Sequence, residues 1–233
     1  MTTPSPHTNV LIIGASRGLG LAIAKQYLDN GAHVVATVRG GSRTALHDLK
    51  NSYAELEIET VDVTNPDDVA RLRERLAIQR FDLLFHNAGV ANGQHDTSTG
   101  VSTDDFTRLM VTNALSPMRV IETLDELVTP DGTIAIMSSG QGSITNNERG
   151  GFEVYRASKS ALNQLMRSYA ARNRQHSRTL LLMAPGWVKT ELGGPGAQLT
   201  IDESIPNLVS TVDAQRGRGG LQFLDYLGRT VAW

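Results

Sequence analysis

The sequence predicts one doubly wound α/β domain with a mostly parallel central sheet covered by helices on both faces. Short apolar runs such as Val10-Leu11-Ile12-Ile13 and Leu180-Leu181-Leu182-Met183 read as strands buried on both sides, as parallel sheets require. Between such runs lie segments whose apolar residues recur at helical spacing, and this alternation is the pattern of crossover connections. The chain has 233 residues, 40% of them hydrophobic, which suits one sizeable core and is short for two independent domains. No linker, low-complexity block or repeat divides it.

The elements follow in order. After a Pro- and Ser-containing tail, residues 1–8, the first strand runs directly into Gly14-Ala15-Ser16-Arg17-Gly18-Leu19-Gly20. Leu21, Ala24, Tyr27 and Leu28 then mark a helix that Asn30-Gly31 stops with a left-handed cap. Strand, glycine turn and helix together open a Rossmann-type dinucleotide-binding unit. Gly14, Gly18 and Gly20 permit a tight turn and close approach of phosphate, while the helix N-terminus offers unpaired N–H groups and partial positive charge. Residues 33–38 form the second strand, 44–50 a short helix, and 56–61 the third strand. Asn65-Pro66 starts a helix with Val69, Leu72 and Leu76 on its apolar side. Residues 81–85 supply the fourth strand, and 103–127 the longest helical candidate, which Pro117 kinks or interrupts. Residues 133–137 are the fifth strand, 153–175 a helix, and 180–183 the sixth strand.

Composition narrows the function. A formal net charge of −2, spread along the chain, offers no basic stripe for nucleic acid. There are no cysteines, and the six histidines lack metal-ligand spacing, so no metal is expected. The N-terminus has no targeting pattern, and no apolar run approaches the ~20 residues of a membrane span. A soluble, cytoplasmic protein acting on small molecules is expected.

Within the helix of residues 153–175, Tyr155 and Lys159 stand four residues apart, one turn along the same face. An ammonium fixed beside the phenol favours the phenolate, lowering a pKa that starts near ~10 and suiting the group to proton transfer. In an open parallel sheet ligands bind beyond the carboxyl ends of the strands. Those positions hold the glycine turn, Arg39, Asp62-Val63, His86-Asn87-Ala88-Gly89, Ser138-Ser139 and Pro185-Gly186.

With its Gly-x-x-x-Gly-x-Gly turn, Asn-Ala-Gly, Ser-Ser, Tyr-x-x-x-Lys and Pro-Gly segments in this order, the sequence resembles the short-chain dehydrogenase/reductase family over almost its whole length. The resemblance implies that Tyr155 is the general acid/base and that Lys159 tunes it and binds the nicotinamide ribose. Ser139 would hydrogen-bond the substrate oxygen, with Ser138 the alternative donor. Asn113 would bend its helix and hold a relay water near the lysine. On the cofactor side, it implies that Ser16 and Leu19 approach the pyrophosphate and ribose, and that Asp62 and Val63 contact adenine. Asn87, Ala88 and Gly89 would border the adenine ribose. Pro185 and Gly186 lead into Val188 and Thr190, which would meet the nicotinamide carboxamide. Arg39, where an acidic residue would favour NAD, and Arg17 in the glycine turn suit the 2′-phosphate of NADP(H).

Two departures from the family pattern are Ile13 in place of the Thr before the first glycine, and His86 in place of the first of two Asn residues; His86 is expected to be structural. The extended segment 144–153, the Tyr-Arg-Ala-Ser-Lys-Ser-Ala-Leu-Asn stretch and the ending 223–233 resemble the subgroup of sniffer carbonyl reductases and C-factor-like proteins. Residues 190–210, with Gly193, Gly194, Pro195 and Gly196, read as a mobile substrate lid.

The leading expectation is an NADP(H)-dependent enzyme that exchanges hydride with a carbonyl or alcohol substrate. A C-factor-like signalling or cofactor-binding protein with little turnover is the alternative. A sugar-nucleotide epimerase or dehydratase would share Tyr-x-x-x-Lys but differ in glycine spacing and length. The helices at 103–127 and 153–175 resemble those through which family members associate, so a homodimer or homotetramer is expected.

Overall fold

The computed structural model describes residues 8–93 and 97–233; residues 1–7 of the expected tail lie outside this set. Seven strands form one sheet: β1 Asn9–Ile13, β2 His33–Val38, β3 Leu56–Thr60, β4 Phe81–His86, β5 Val128–Met137, β6 Thr179–Ala184 and β7 Gly220–Asp225. Their order is β3-β2-β1-β4-β5-β6-β7, and every neighbouring pair is parallel. The switch from β1 outward to β2 on one side and to β4 on the other opens the crevice where doubly wound folds take their ligand.

The helices are α1 Gly18–Asp29, α2 Ala45–Lys50, α3 Pro66–Arg75, α4 Thr103–Met110, α5 Ser116–Leu124, α6 Glu153–Arg172 and α7 Ile201–Ala214. Because side chains alternate along a strand, the central strands feed two cores. On one face Leu11, Ile13, Leu84, Ile134, Ile136 and Leu182 pack with Val69 and Leu72 of α3, Ile121 of α5 and Met166 of α6. On the other, Val10, Ile12, Leu83, Phe85, Leu181 and Met183 pack with Ile23 of α1, Leu46 of α2 and Leu208 of α7. A fully buried side chain of this size contributes about 1.5–3 kcal/mol, so both layers are held by many equivalent contacts.

Three expectations change or narrow. The supposed lid divides at Thr200, whose side chain accepts from the Glu203 backbone N–H and begins α7 with a capping box. From there Ile205, Leu208 and Val209 are buried against the sheet, so residues 201–210 belong to the core layer rather than to a lid. Of the kink and the interruption expected from Pro117, the 103–127 segment takes the interruption. A π-helical turn, Val111–Leu115, separates α4 from α5, with Ser116 N bonding to Val111 O. Pro117 has no N–H for the carbonyl four residues before it, which is that of Asn113, so an ordinary α-helical ladder is interrupted there. Finally, α7 and β7 complete the fold beyond the six strands and five helices expected. Among the described residues no helix is long and apolar enough to cross a membrane.

Candidate active site

The site is assembled at the carboxyl ends of β1, β4, β5 and β6. Gly14 takes φ +88°, and a side chain there would meet Ala88 at 2.8 Å. A Cβ on Gly20 would lie 2.0 Å from Gly14 O, so both positions require glycine. Gly14 N donates to Thr37 Oγ1 (2.9 Å), Ala15 N to Thr37 O (2.8 Å), and Asn87 Nδ2 to Gly14 O (2.8 Å). Thr37 on β2 thus supplies the hydroxyl that Ile13 cannot. Its place inside an apolar strand gave no sequence signal of this role. Asn87 N and Ala88 N both donate to Ile13 O, at 2.9 and 3.0 Å, which joins the glycine turn to the Asn-Ala-Gly segment.

The turn ends in α1, whose first turn carries no acidic residue and whose N-cap, Arg17, makes no side-chain capping bond. Its orphan N–H groups and dipole therefore suit an anion. Half-buried Ser16 and Leu19 flank this end. Gly18 (φ +58°) faces Thr190 Cγ2, 4.0 Å from its ideal Cβ position, so the glycine turn and the segment after β6 lie together. Exposed Arg17 pairs with exposed Glu191 at 3.1 Å across the same junction.

After β3, where adenine contacts are expected, Asp62 Oδ1 accepts from Thr64 N (2.9 Å) and Thr64 Oγ1 (2.7 Å). The Thr64 hydroxyl bond, with the backbone bond and the Arg39 charge, holds the carboxyl below its ordinary value against the opposing effect of burial. Arg39 is exposed at the end of β2, and Val63 is buried beside Asp62. After β6, Pro185 is buried and its carbonyl accepts from Ser204 Oγ (2.7 Å). Gly186 follows at φ +82°, with a hypothetical Cβ only 2.5 Å from Leu199. Val188 is bridged to Leu199, and Thr190 Oγ1 accepts from Gly193 N at 3.0 Å.

The candidate reactive cluster lies where Lys159 of α6 meets the carboxyl end of β5 through the Met137 carbonyl. Tyr155 is half-buried, and desolvation raises its phenol pKa, opposed by a hydrogen bond from Ser139. Ser139 also accepts from Gln141 N at 3.1 Å. The neighbouring Ser138 hydroxyl is directed elsewhere: it is buried and donates to Asn163 Oδ1 at 2.7 Å. Geometry therefore brings Ser139, not Ser138, to the phenol.

Lys159 differs from expectation. Its ammonium donates to Met137 O (2.9 Å) and sits 5.9 Å from the Tyr155 ring centre. Burial lowers its pKa to about 8, while the phenol owes its modest downward influence to Ser139 rather than to the lysine. The reason is distance and direction: the carbonyl at the end of β5 holds the ammonium to one side.

Asn113, in the π-helical turn, is fully buried. It donates to Val90 O (2.8 Å) and Ser158 Oγ (3.0 Å) and accepts from Val90 N (2.9 Å), tying the segment after β4 to α6. Between these two, Gly89 faces both Asn113 Oδ1 and Lys159 Nζ, at 3.3 and 3.6 Å from its ideal Cβ position. Ser158 and Asn163, to which the motif alone assigns no role, thus tie α6 to Asn113 and to Ser138. His86 is buried with neither ring nitrogen hydrogen-bonded. Desolvation, followed by the Lys159 charge, drives its pKa down to about 3, so it is neutral at ordinary pH. No group of three or more His, Cys, Asp or Glu suited to a metal occurs among the described residues.

A glycine cradle at a helix N-terminus, joined to a serine, tyrosine and lysine at the strand ends, defines a dinucleotide-dependent oxidoreductase class. Comparison with known proteins gives the family. Residues 8–198 match the short chain dehydrogenase family, and the chain belongs to it. A protein from Burkholderia multivorans described as a short-chain dehydrogenase/reductase, solved with bound NADP, is 56% identical. It covers 98% of this chain and 100% of its own, with a TM-score of 0.96. The carbonyl reductase Sniffer of D. melanogaster is 29% identical over 97% of this chain and 99% of its own, with a TM-score of 0.87. The C-signal protein of Myxococcus xanthus is 34% identical over 65% of this chain and 92% of its own. The chain is an oxidoreductase with the carbonyl reductase and C-factor-like pattern.

Proposed function

We propose that the protein is an NADP(H)-dependent reductase of aldehydes or ketones, able to run in reverse on alcohols. The observation that carries this reading is the convergence at the carboxyl end of β5, where the carbonyl of Met137, two residues before Ser139, holds the buried Lys159 ammonium 5.9 Å from the Tyr155 ring centre. Gly14, Gly18 and Gly20 would seat the pyrophosphate at α1, and Arg39 with Arg17 the 2′-phosphate. Asp62, Val63, Asn87, Ala88 and Gly89 would border the adenosine half, and Val188 and Thr190 the nicotinamide half. The Burkholderia relative with bound NADP supports this choice of cofactor.

When bound, the nicotinamide supplies the hydride for reduction. As the substrate carbonyl carbon takes up a hydride, its oxygen gains negative charge, and hydroxyl donors placed there stabilise it. Ser139 donates a hydrogen bond to that oxygen, and Tyr155 transfers its phenolic proton, leaving alcohol and phenolate. Lys159, turned aside to the Met137 carbonyl, would bind the nicotinamide ribose. Asn113 acts at a distance by holding Val90 and Ser158 in place.

The test is Tyr155→Phe, assayed with NADPH against aldehydes, ketones and quinones. Turnover should fall by ~10²–10⁴-fold, the usual worth of a positioned acid/base group. NADPH affinity, read by fluorescence titration, should stay close to normal. Full turnover in the variant would refute the assignment. The C-signal similarity supports a second reading, a signalling protein with little turnover. No activity by the native protein on the whole panel, with NADPH still bound, would favour it.

A further inference from the structure

The turn that leads into α6 is built as Gly150-Gly151-Phe152, with φ of +64°, +73° and +50°. Phe152 is the one non-glycine residue of positive φ among the described residues. A left-handed backbone disfavours any residue with a Cβ, and a bulky one is a genuine outlier. The turn is held from outside: Arg156 Nε donates to Gly151 O (2.8 Å) and Nη2 to Gly150 O (3.2 Å), while Arg156 N donates to Phe152 O (2.8 Å). Glycine occupies the two preceding left-handed positions, so a phenyl ring at the third calls for a reason beyond the turn.

Core packing does not supply one. Phe152 is half-buried, yet it belongs to neither hydrophobic core and is not among the side chains packed against them. Its place in the chain is specific: it stands one helical turn before Tyr155, on the segment that joins Ser139 to Tyr155. Ile144 of that segment is exposed, as are Trp187 and Leu192 on the segment leaving β6. Large apolar side chains outside the cores thus stand on the two segments that carry Ser139 and Tyr155 on one side and Val188 and Thr190 on the other.

We propose that Phe152 is a specificity-determining residue whose ring walls the substrate site and selects carbonyl compounds carrying an aryl or branched apolar group. The inference rests on the carbonyl reductase reading and narrows its substrate class. Strain is retained at functional positions when a side chain must be held where relaxed backbone would not place it.

The experiment compares native protein, Phe152→Gly and Phe152→Tyr with NADPH on acetophenone and on propanal, together with urea midpoints. Phe152→Gly should lose about tenfold or more in kcat/KM on acetophenone, chiefly through KM, with propanal changed by no more than about twofold. Its urea midpoint should not fall, because glycine adopts the left-handed region freely. Phe152→Tyr keeps the ring and should keep the acetophenone preference. An unchanged acetophenone-to-propanal ratio in Phe152→Gly overturns the proposal. So does a lowered midpoint, which would make the ring a packing element, or loss of the preference in Phe152→Tyr. A native protein that reduces propanal but not acetophenone also overturns it. A native protein that reduces neither compound, nor any member of the wider panel, overturns the reductase reading itself.

Discussion

Replacing Lys159 by methionine should make the protein more stable while disabling it. The lysine is buried, its one described hydrogen-bond acceptor is the Met137 carbonyl, and its pKa is lowered from 10.5 to about 8 by desolvation. The interval between those values, at ~1.36 kcal/mol per pH unit, makes the protonated side chain cost about 3 kcal/mol at pH 7. The unfolded chain holds the proton up to 10.5 and the folded chain only to about 8, so stability is lowest below pH 8 and rises toward 10.5. Methionine keeps the length and removes the charge, but leaves the Met137 carbonyl without its donor, a cost of about 1 kcal/mol or more. A net gain of about 2 kcal/mol is expected at pH 7. Urea unfolding of both proteins, free of coenzyme, at pH 7, 8, 9 and 10 provides the assay. The advantage of Lys159→Met should shrink steadily above pH 8. A variant less stable than the native protein at pH 7, or an advantage independent of pH, would refute the argument that burial of this charge is unfavourable.

Two further outcomes are expected. Arg39→Asp should weaken NADPH binding by about tenfold or more, the worth of charge-assisted hydrogen bonds, and NADH binding far less; equal titration constants for the two cofactors with native protein would remove the 2′-phosphate role. Phe106 on α4, Leu115 in the π-helical turn and Leu165 on α6 are exposed apolar residues on packed neighbouring elements, and a two-fold contact between copies would cover them. Light scattering should give a dimer or tetramer mass that Leu165→Glu reduces, whereas a monomer mass for native protein at micromolar concentration would exclude the contact.

Six of the seven strands were legible because most contain an apolar run bounded by turn residues, whereas β3 alternates apolar Leu56 and Ile58 with Glu57 and Glu59. β7 was not, since it begins at Gly220, mixes Gln222 among apolar residues, and fully buries only Phe223 and Leu224 at the sheet edge. α7 was hidden by Pro206 within it and by the glycine-rich run before it, which together suggest a loop. Its capping box, Thr200 with Glu203, is the local sequence signal that marks where the helix begins. In the candidate site, spacing along a helix was enough to pair Tyr155 with Lys159 on one element. It could not say which way the ammonium points, because Met137 belongs to a distant strand. The choice between Ser138 and Ser139 depended on Asn163 in the same way. Contacts made within one turn of chain can be read from spacing; contacts between separate elements depend on packing that spacing does not encode.

The joining of the glycine turn to β4 bears on how the protein is born. Ile13 O receives Asn87 N and Ala88 N, and Asn87 Nδ2 reaches back to Gly14 O, across more than seventy positions of sequence. A nascent chain that has emerged only as far as β3 already carries all three glycines of the turn but none of these partners. Such non-local pairing must wait for the loop between the strands to close. The glycine turn therefore reaches its final shape only once β4 has emerged and inserted beside β1, and any ligand seated on that turn can stabilise the chain only after that step.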